Sequence, residues 1–548
     1  MVQQAVEREA LTYDVVVVGG GPAGLAAALH LVRRARAEEG TPPTVCLLEK
    51  GATVGAHLLS GAALETRALD ELLPDWRERG APVGVPAAGE ALHYLTRRRA
   101  WTLPTPPQMD NHGNYVGSLG ELCQWLATEA EAAGVEIYPG FPGAELLYDE
   151  QGAVCGVATP DLGRQADGTP GPAFEPGVEI RARQTILAEG AHGSLAQEAM
   201  AQFDLRRHAQ AQTYALGLKE LWEVPAARHR PGQVEHTVGW PLDQFTYGGS
   251  FLYHLDGGRV AIGLVVGLDY ENPYLDPFEE FQRLKTHPAF RSLLKEGRRI
   301  GYGARVLPEG GWQSLPRLSF PGGVLAGDTA GFVNVPKIKG IHTAMKSGLL
   351  AAEAVQAALA SDAGEAQSLS QRVASSWLKT ELYPVRNLRP AFRWGLLPGL
   401  AYAAAETYLL RGRAPWTFGR QLPDYRHLRA AARCRRMTYP KPDGKLTFDR
   451  SSSIFLANVS HQEDQPCHLV LRDPALPLRV NWAAYDGPEE RYCPAGVYTY
   501  ELSGQGQRRL RIEAINCLHC KACEIKDPAH NIVWTVPQGG DGPGYQGM

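Results

Sequence analysis

Four cysteines near the C-terminus constrain this chain more than any other feature. Cys493 stands in Y-C-P-A-G, and after 23 intervening residues Cys517, Cys520 and Cys523 follow in N-C-L-H-C-K-A-C. Three cysteines at two-residue intervals can present three thiolates to one cubane cluster, and a fourth cysteine followed by proline completes the set. The alternative is zinc, but zinc ribbons usually pair two C-x-x-C knuckles, and Cys493 has no such partner. The spacing therefore predicts a [4Fe-4S] cluster, which passes electrons one at a time.

A dinucleotide-binding motif lies at the other end of the chain. Residues 13–18 read Y-D-V-V-V-V, a buried-strand pattern, and a glycine-rich turn then opens a predicted helix over residues 25–36. In G-x-G-x-x-G the first glycine permits the tight turn, the second lets the backbone approach a pyrophosphate, and the third lets helix and strand pack closely. Unpaired N–H groups at the helix N-terminus can bind the phosphates. The predicted cofactor-binding residues of this turn are Gly19, Gly21, Pro22, Ala23 and Gly24.

Three further segments complete the predicted cofactor site and favour FAD over NAD. A second strand, residues 44–48, ends in Glu49, which is placed to accept hydrogen bonds from ribose hydroxyls. Far downstream, G-G-V-L-A-G-D predicts a strand that ends in Gly327-Asp328, the usual closing half of an FAD site, with an ordinary strand-turn as the alternative. Residues 178–187 predict a strand that runs into Gly190, a strand end that flavin folds often place near the cofactor.

The amino-acid composition limits which binding partners and which cellular compartment we expect for this chain. At 548 residues the chain is long enough for two to four domains, and its net charge of −4 does not indicate nucleic-acid binding. No secretory signal is present, and the few residues before the first strand leave no room for a cleavable transit peptide, so we expect a bacterial or an already processed chain. The other five cysteines are scattered singly and are interpreted as reduced, mostly buried thiols of a reducing compartment: Cys46, Cys123, Cys155, Cys434 and Cys467.

The pattern between the two motifs indicates interleaved domains. Residues 85–112 are rich in proline and arginine and are predicted to be irregular, whereas residues 211–270 alternate as antiparallel strands do. A long alanine-rich helix is predicted over residues 340–360, and Pro- and Asp-rich segments lead from about Tyr439 into the cysteine region.

Residues 395–410, G-L-L-P-G-L-A-Y-A-A-A-E-T-Y-L-L, are mostly apolar. Sixteen helical residues reach roughly 24 Å, short of the ~30 Å hydrocarbon core of a bilayer. Arg393, Arg411 and Arg413 flank the segment, with Trp394 and Trp416 at its ends. A short apolar body with basic and aromatic rims suits a helix that lies in one leaflet, and a buried helix of a soluble domain is the equal alternative.

Segments along the whole chain make it resemble the electron transfer flavoprotein–ubiquinone oxidoreductase family. The segments are G-A-H-L-L-S-G-A (55–62), L-L-P-D-W (72–76), N-H-G-N-Y (111–115), L-G-L-K-E-L-W (216–222), H-T-V-G-W-P-L-D-Q-F-T-Y-G-G-S-F-L-Y-H-L (236–255), N-V-P-K-I-K-G-I-H-T-A-M-K-S-G (334–348), N-C-L-H-C-K-A-C-E-I-K-D-P (516–528) and G-P-G-Y-Q-G-M (542–548).

The resemblance implies an α/β plus α+β fold in three interlocked parts. These are a Rossmann-like FAD domain of the glutathione-reductase/hydroxylase type (11–85, 113–190 and 301–375), an antiparallel-sheet quinone and membrane-associated domain (86–112, 191–300 and 376–430) and a C-terminal ferredoxin-like [4Fe-4S] domain (431–548).

It also implies a monotopic membrane enzyme that takes electrons from reduced electron transfer flavoprotein and reduces ubiquinone or another quinone, linking fatty-acid and amino-acid oxidation to the respiratory chain. The implied location is the cytoplasmic face of a bacterial inner membrane, or the matrix face of the mitochondrial inner membrane for a processed eukaryotic chain.

In the family the backbone of a Gly-Gly pair binds a quinone carbonyl, and the matching pair is Gly248-Gly249. From the residues alone, such a pair between two strands is more often a turn. No catalytic side chain is predicted, because electrons pass through the cofactors. His57, His342 and His519 are interpreted as structural residues, or as groups that tune the cofactors, rather than as proton donors.

The chain departs from the family in two apolar regions. The segment before N-H-G-N-Y is short and only modestly apolar, and Glu406 interrupts the apolar helix, so the depth of membrane insertion is open. Arg97, Arg98 and Arg99 could meet anionic headgroups or form a solvated loop. Two other functions remain as alternatives: a flavin reductase of the geranylgeranyl-reductase kind, and a non-catalytic relay subunit that connects two larger complexes.

Overall fold

A strand–helix–strand unit begins the part of the chain that the structure, a computed structural model, describes: residues 8–61, 63–419, 422–504 and 506–548. The strand Ala10–Val18, the helix Pro22–Ala37 and the strand Val45–Glu49 follow one another as the sequence predicts. Pro22 stands in the first helical turn, where its missing N–H has no intrahelical partner to lose. Ala62, the last residue of the first family segment, lies outside the described residues.

The first large sheet is built on this unit and has eight strands. Its central pairs are parallel, with Ala10–Val18 between Glu179–Leu187 and Val45–Glu49. Glu136–Pro139 and Gly323–Leu325 add further parallel strands, and Ser319–Phe320 forms an antiparallel edge. Val154–Ala158 and Glu145–Tyr148 form an antiparallel extension of the sheet. The helices Pro22–Ala37 and Ile341–Ala360 pack on each other and, with Leu119–Ala132, bury the apolar core of this sheet.

The second large sheet has seven strands, in the spatial order Arg298–Pro308, Tyr214–Glu223, Arg259–Gly267, Gly248–His254, Gln233–Gly239, Gly89–Leu95 and Ala100–Leu103. All neighbours are antiparallel except Gln233–Gly239 and Gly89–Leu95, which pair in parallel.

Two expectations are corrected by this sheet. Residues 85–112 are not irregular, because Gly89–Leu95 and Ala100–Leu103 form a hairpin that extends the sheet by pairing with a distant strand. The boundary placed at residue 301 falls inside the strand Arg298–Pro308, which pairs with Tyr214–Glu223 along its whole length and so belongs to the antiparallel sheet.

The C-terminal region packs between the two sheets. Its strand pairs are Leu469–Leu471 with Ile532–Trp534 and Tyr498–Leu502 with Arg508–Ile512. Its side chains share one apolar core with the antiparallel sheet. The chain end is buried: the carbonyl oxygen of Met548 accepts a hydrogen bond of 3.1 Å from the hydroxyl of Ser118. This region is therefore interlocked with the rest of the fold.

Residues 395–410 form a helix on the surface. The α-helix Leu396–Ala404 continues through a π-helical turn, Ala405–Leu410, and ends at Arg411, whose φ is +52°. Only Gly399 and Glu406 of this helix are buried. Among the described residues, the structure has no helix that is long and apolar enough to cross a bilayer.

The remaining elements connect these parts. The other helices are Arg67–Leu72, Ser194–Gln202, Pro277–Lys285, Pro288–Leu294, Ser368–Ser375, Trp377–Leu382, Leu388–Ala391, Arg450–Phe455, Ala483–Tyr485, Glu489–Tyr492 and Ala522–Lys526. The other strands are Ala63–Leu64, Val85–Pro86 and Tyr115–Val116, which form one small sheet, and Leu162–Arg164 with Pro170–Glu175.

Candidate functional site

The four predicted cluster ligands are brought together in the C-terminal region. Cys493, Cys517, Cys520 and Cys523 are all buried and none forms a disulfide. Left-handed backbone at His519 and Lys521, with φ of +54° and +67°, turns the chain between successive ligands. Burial raises the pKa of the Cys520 and Cys523 thiols, and the negative charge of the neighbouring cysteines raises it further. The mutual effect reflects the closeness of the four sulfurs.

This sulfur set fits an iron–sulfur cluster. Four buried thiols with raised pKa values would not ionise unaided, and coordination to metal supplies the positive charge that deprotonates them. Backbone N–H groups point at the sulfurs: Val497 donates to Sγ of Cys493 and His519 donates to Sγ of Cys517, each at 3.4 Å. Such hydrogen bonds stabilise thiolates and tune the potential of a cluster.

A mixed metal site is the alternative arrangement at this place. Ligand atoms of His468, Cys517 and His519 lie within 4.8 Å of one another, a set that could hold a zinc ion. It would use one of the four cysteines and leave three buried thiols without metal. The four-sulfur arrangement accounts for all of them, so the geometry favours the cluster.

The glycine-rich turn has the form that a pyrophosphate requires. A Cβ atom on Gly19 would lie 2.4 Å from the carbonyl oxygen of Ala188, and one on Gly24 would lie 2.0 Å from that of Gly19. These two glycines are therefore needed for the turn itself. A Cβ on Gly21 would meet nothing nearer than Leu58 at 4.0 Å, so Gly21 faces open space. A ligand can approach the backbone there.

Glu49 holds the turn as well as facing the space beside it. Its Oε2 accepts a hydrogen bond of 2.9 Å from the N–H of Gly20, and its Oε1 accepts one of 2.7 Å from Gly51. Each carboxylate oxygen has a second lone pair for a ribose hydroxyl. The sequence analysis assigned only the ribose contact, and the hydrogen bonds to the backbone are an additional role.

The two downstream segments reach the same space. Gly190 and Gly327 both have left-handed backbone, with φ of +79° and +65°. The N–H of Gly327 donates to the hydroxyl of Ser347 at 2.7 Å. Asp328 lines the space, and burial raises the pKa of its carboxyl to about 6 while the charge of Arg305 opposes the rise. Two of the predicted cofactor-binding residues, Gly24 and Gly327, are not among the residues that line this space.

Gly248 and Gly249 lie in a strand rather than in a turn. They begin the strand Gly248–His254, between Arg259–Gly267 and Gln233–Gly239. A Cβ on Gly248 would lie 2.2 Å from the carbonyl oxygen of Val265, and one on Gly249 would lie 2.5 Å from that of Thr237. Both positions are therefore restricted to glycine by the sheet itself, while their open sides line a cavity.

A single cavity of about 710 Å³ joins the predicted sites. The predicted site residues in its wall are Gly19, Gly21, Pro22, Ala23, Glu49, Gly190, Asp328, Gly248, Gly249 and Cys520. The cluster region therefore touches the cavity through Cys520, and the other three cysteines lie behind it. Sites that are separated by hundreds of residues in sequence face one cavity.

None of the cations that line this cavity was predicted from the sequence, and three of them are Lys50, Arg305 and Lys521. Burial, followed by the charge of Arg305, lowers the pKa of Lys50 to about 7. The ammonium of Lys521 donates to the hydroxyl of Ser194 at 3.0 Å. The sequence contains only weak indications of a role for these cations. Lys521 stands between two predicted cluster ligands, and Arg305 is a charged residue in an otherwise apolar strand segment. Together they place positive charge where two anionic cofactors would meet.

The three histidines interpreted as structural lie in two places. His57 and His519 make an edge contact at 5.5 Å between ring centroids, beside the cavity. His342 is stacked on Trp377, and its Nε2–H donates a hydrogen bond of 2.7 Å to the carboxylate of Glu381. It does not line the cavity of about 710 Å³.

The surface helix forms one end of the cavity. Leu396, Leu400, Ala403 and Thr407 line it, together with Leu103 at the end of the hairpin and Met109 from the segment that follows. On the outer side, Leu397 is 58% exposed and Leu409 is 80% exposed. Glu406 turns inward and accepts a hydrogen bond of 2.8 Å from the hydroxyl of Tyr402. Glu406, which interrupts the apolar pattern in the sequence, therefore leaves the outer face of the helix apolar.

Comparisons with known proteins agree with this arrangement. The family model for the ubiquinone-binding part of electron transfer flavoprotein–ubiquinone oxidoreductases matches residues 214–307, and the model for their 4Fe-4S domain matches residues 444–546. The first match runs from the strand Tyr214–Glu223 into Arg298–Pro308 and so covers most of the antiparallel sheet.

Curated relatives match along almost the whole chain. The mitochondrial electron transfer flavoprotein-ubiquinone oxidoreductase of Oryza sativa subsp. japonica is 52% identical over 543 residues, which are 99% of this chain and 94% of that protein. The Homo sapiens protein of the same name is 51% identical over 556 residues, 99% of this chain and 90% of that protein.

Among solved structures, a geranylgeranyl bacteriochlorophyll reductase-like protein from Thermoplasma acidophilum superposes with a TM-score of 0.53 at 18% identity, over 73% of this chain and 97% of that one. At that identity the likeness concerns the fold alone. The predicted fold class, with its Rossmann-like FAD domain, antiparallel-sheet domain and C-terminal iron–sulfur domain, is confirmed.

Proposed function

This chain belongs to the electron transfer flavoprotein–ubiquinone oxidoreductase family, and we propose from that premise that the cavity of about 710 Å³ is where its two redox centres and its quinone meet. The chain is an oxidoreductase that carries electrons from reduced electron transfer flavoprotein to ubiquinone, with FAD and a [4Fe-4S] cluster as cofactors. The observation that carries the proposal is that Gly21, Cys520 and Gly249 line one cavity.

The residues that would hold the cofactors are those already described. The Gly19–Gly24 turn and the N-terminus of the helix Pro22–Ala37 bind the pyrophosphate, while Glu49 binds the ribose and Asp328 the ribityl region. Cys493, Cys517, Cys520 and Cys523 ligate the cluster. When bound, FAD accepts two electrons and the cluster moves one at a time, which is the chemistry this reaction needs.

The chain itself contributes position, charge and exclusion of water. Lys50, Arg305 and Lys521 line the cavity, and positive charge there would stabilise the reduced cofactors. The cavity wall is mostly apolar, so the reduced centres are shielded from solvent. Gly248 and Gly249 let a planar headgroup reach the main chain because no side chain stands above the strand.

The protein attaches to a membrane through the helix 395–410 in this proposal. Leu397 and Leu409 are exposed apolar side chains on the outside of the helix, and Leu396 and Leu400 line the cavity on the inside. Tyr408 is half exposed and also lines the cavity. Arg393, Arg411 and Arg413 flank the helix and suit anionic headgroups. A quinone in the bilayer would then enter the cavity without crossing water.

The curated relatives are named as mitochondrial proteins. From these names and the proposed membrane attachment, we infer that the chain lies on the matrix face of the mitochondrial inner membrane, or on the corresponding cytoplasmic face of a bacterial inner membrane.

The test is a set of counts and three electron-transfer assays on purified protein. We expect one flavin, four irons and four sulfides per chain, and an EPR signal from the reduced cluster. Reduced electron transfer flavoprotein should bleach the flavin, and turnover with a short-chain ubiquinone should follow. Turnover with NAD(P)H and a prenyl substrate would support the reductase alternative. Reduction of both centres without quinone turnover would support the relay alternative.

A further inference from the structure

A polar groove of about 720 Å³ adjoins the apolar cavity. The two spaces share three lining residues, Gln108, Leu388 and Thr407, so a thin wall separates them. Gln108 donates a hydrogen bond of 2.9 Å to the hydroxyl of Thr407 within this wall. One space is mostly apolar, and the other is more open and is lined by acids and bases.

A loop in the family segment 334–348 joins the two spaces. The backbones of Asn334 and Lys339 pair with each other, so residues 334–339 form a tight loop with Ile338 at a φ of +56°. On one side of the loop, Asn334 and Lys337 line the polar groove. On the other side, Ile338 and Lys339 line the apolar cavity, whose wall also contains Gly248 and Gly249.

Lys339 is an unusual ammonium for such a place. Lys339 is 5% exposed, and among the described residues the only hydrogen bond of its ammonium is a long one of 3.4 Å, to the carbonyl oxygen of Lys337. No carboxylate within the described ranges lies at salt-bridge distance from its Nζ. An ammonium that is buried without an ion pair must have another reason to be there.

Titratable groups face Lys339 from several elements. Burial lowers its pKa to about 8, and the charge of Lys337 lowers it further, while the charges of Glu65, Glu90 and Glu381 oppose the fall. Across the cavity, burial and the charge of Lys339 lower the pKa of His236 to about 3, so that ring is neutral and cannot replace the lysine as an acid. Lys339 is thus an acid that can lose and regain a proton near neutral pH.

The groove side carries a matching set of polar groups. Lys337 contacts Glu381 at 3.5 Å and also pairs with Glu65, and His342 bonds to Glu381 at 2.7 Å. His342 is fully buried, and its Nδ1 has no hydrogen-bond partner among the described residues. These groups connect the open groove to the base of the loop that carries Lys339.

We propose that Lys339 donates protons to the quinone and that Glu65, Lys337, His342 and Glu381 form the route by which it is reprotonated from the groove. This inference rests on the proposed function. A quinone takes up two electrons, supplied by the reduced flavoprotein through the cofactors, and two protons to become a quinol. Each donation breaks one N–H bond of Lys339 and forms one O–H bond on the quinone, and a solvent proton from the groove restores the ammonium.

The experiment compares Lys339→Met with Lys339→Arg in the holoenzyme. Both should lower kcat with a short-chain ubiquinone more than tenfold, because methionine has no proton and arginine keeps the charge but does not release one. Electron transfer to ferricyanide, which takes no proton, should change less than twofold. Lys346→Met is the matched control, since Lys346 is seven residues on, pairs with Glu71 at 2.6 Å and lies outside both spaces.

The pH profile and a chemical rescue distinguish a proton donor at position 339 from a residue with only a structural role. Wild-type quinone turnover should fall as the pH rises through about 8, because the donor is then deprotonated, and this limb should be absent in both variants. Methylammonium in the buffer should raise the turnover of Lys339→Met severalfold. His342→Gln should slow quinone turnover and leave ferricyanide reduction unchanged.

Several outcomes would overturn the proposal. Wild-type quinone turnover in Lys339→Met, or full activity in Lys339→Arg, removes the donor role. An equal loss with quinone and ferricyanide indicates a structural role instead. Failure of the proposed function would give a different result: the wild-type protein would reduce ferricyanide but no quinone. That result would also overturn the donor role of Lys339. Flavin content and the melting temperature show that each variant is folded.

Discussion

The ammonium of Lys50 lies 3.0 Å from Nδ1 of His519. Lys50 follows Glu49 at the end of a strand of the first sheet, and His519 stands between two of the predicted cluster ligands. A second contact reinforces the first, because the N–H of Gly540 donates to the carbonyl oxygen of Lys50 at 3.0 Å. The flavin half and the cluster half are therefore one packed unit at the point where electrons would pass between them.

The ligand assignment predicts the effect of removing single cysteines. Cys517→Ala, Cys520→Ala and Cys523→Ala should each abolish the EPR signal of the reduced cluster, because one iron loses its thiolate. Most of the flavin should remain, since the glycine turn and Glu49 belong to the first sheet.

A matched control for this prediction is Cys155→Ala. Cys155 is a half-buried cysteine on the strand Val154–Ala158 of the first sheet, far from the ligand set in the fold, and the variant should keep the full signal. A complete [4Fe-4S] signal in any of the three ligand variants would show that its cysteine does not bind iron.

The open space at Gly21 predicts a folded protein without flavin. In Gly21→Val the first side-chain atom meets nothing within about 4 Å of protein, so the fold is kept, while the branched side chain fills the path of the pyrophosphate. We expect loss of the flavin absorbance with a melting temperature close to that of wild-type apoprotein. Gly24→Val is the contrast, because its Cβ would lie 2.0 Å from the carbonyl oxygen of Gly19 and should prevent folding. Stoichiometric flavin in Gly21→Val would refute the site.

Removal of the Glu49 carboxylate should weaken FAD binding in a graded way. Glu49→Ala loses a charge-assisted hydrogen bond to ribose, which is worth roughly 1–3 kcal/mol. It also releases the N–H groups of Gly20 and Gly51, so the turn loosens. Titration of apoprotein with FAD measures the change, and an unaltered dissociation constant would rule out the ribose contact.

The sequence was sufficient where local geometry decides the outcome. Short spacing places Cys517, Cys520 and Cys523 on one loop, and in the glycine turn Gly24 is required by its contact with Gly19, five residues earlier. The sequence was insufficient to predict the structure where contacts between distant strands decide the backbone conformation. Gly248-Gly249 looks like a turn, but both residues are held in a strand by the carbonyls of Val265 and Thr237. In the same way, the inward direction of Glu406 depends on Tyr402 and on the packing of the helix.

The outer face of the surface helix predicts the strength of membrane attachment. Leu397→Ser combined with Leu409→Ser should release the protein into the supernatant at moderate salt. Each buried leucine contributes about 1.5–3 kcal/mol of transfer free energy, and the arginines alone give an attachment that salt screens. Leu502→Ser is the control, because Leu502 is 64% exposed but lies in the hairpin of the C-terminal region. Wild-type protein that stays in solution with lipid vesicles present would contradict the attachment.

Access of quinone to the cavity is better tested at the helix than at the glycine pair. A leucine at position 249 would force its Cβ against the carbonyl oxygen of Thr237 at 2.5 Å, so Gly249→Leu would distort the sheet as well as block a ligand. Ala403 is a cleaner position, because it lines the cavity from the half-buried side of the surface helix and leaves the sheet untouched.

Ala403→Trp should separate the two half-reactions. The indole would occupy the end of the cavity that faces the proposed membrane surface, so turnover with a short-chain ubiquinone should fall more than tenfold, equivalent to over about 1.4 kcal/mol. Stopped-flow reduction of the flavin by reduced electron transfer flavoprotein should stay near the wild-type rate. Ala401→Trp, two residues away on the exposed side and outside the cavity lining, should keep quinone turnover. Equal turnover in the two variants would mean that quinone enters elsewhere.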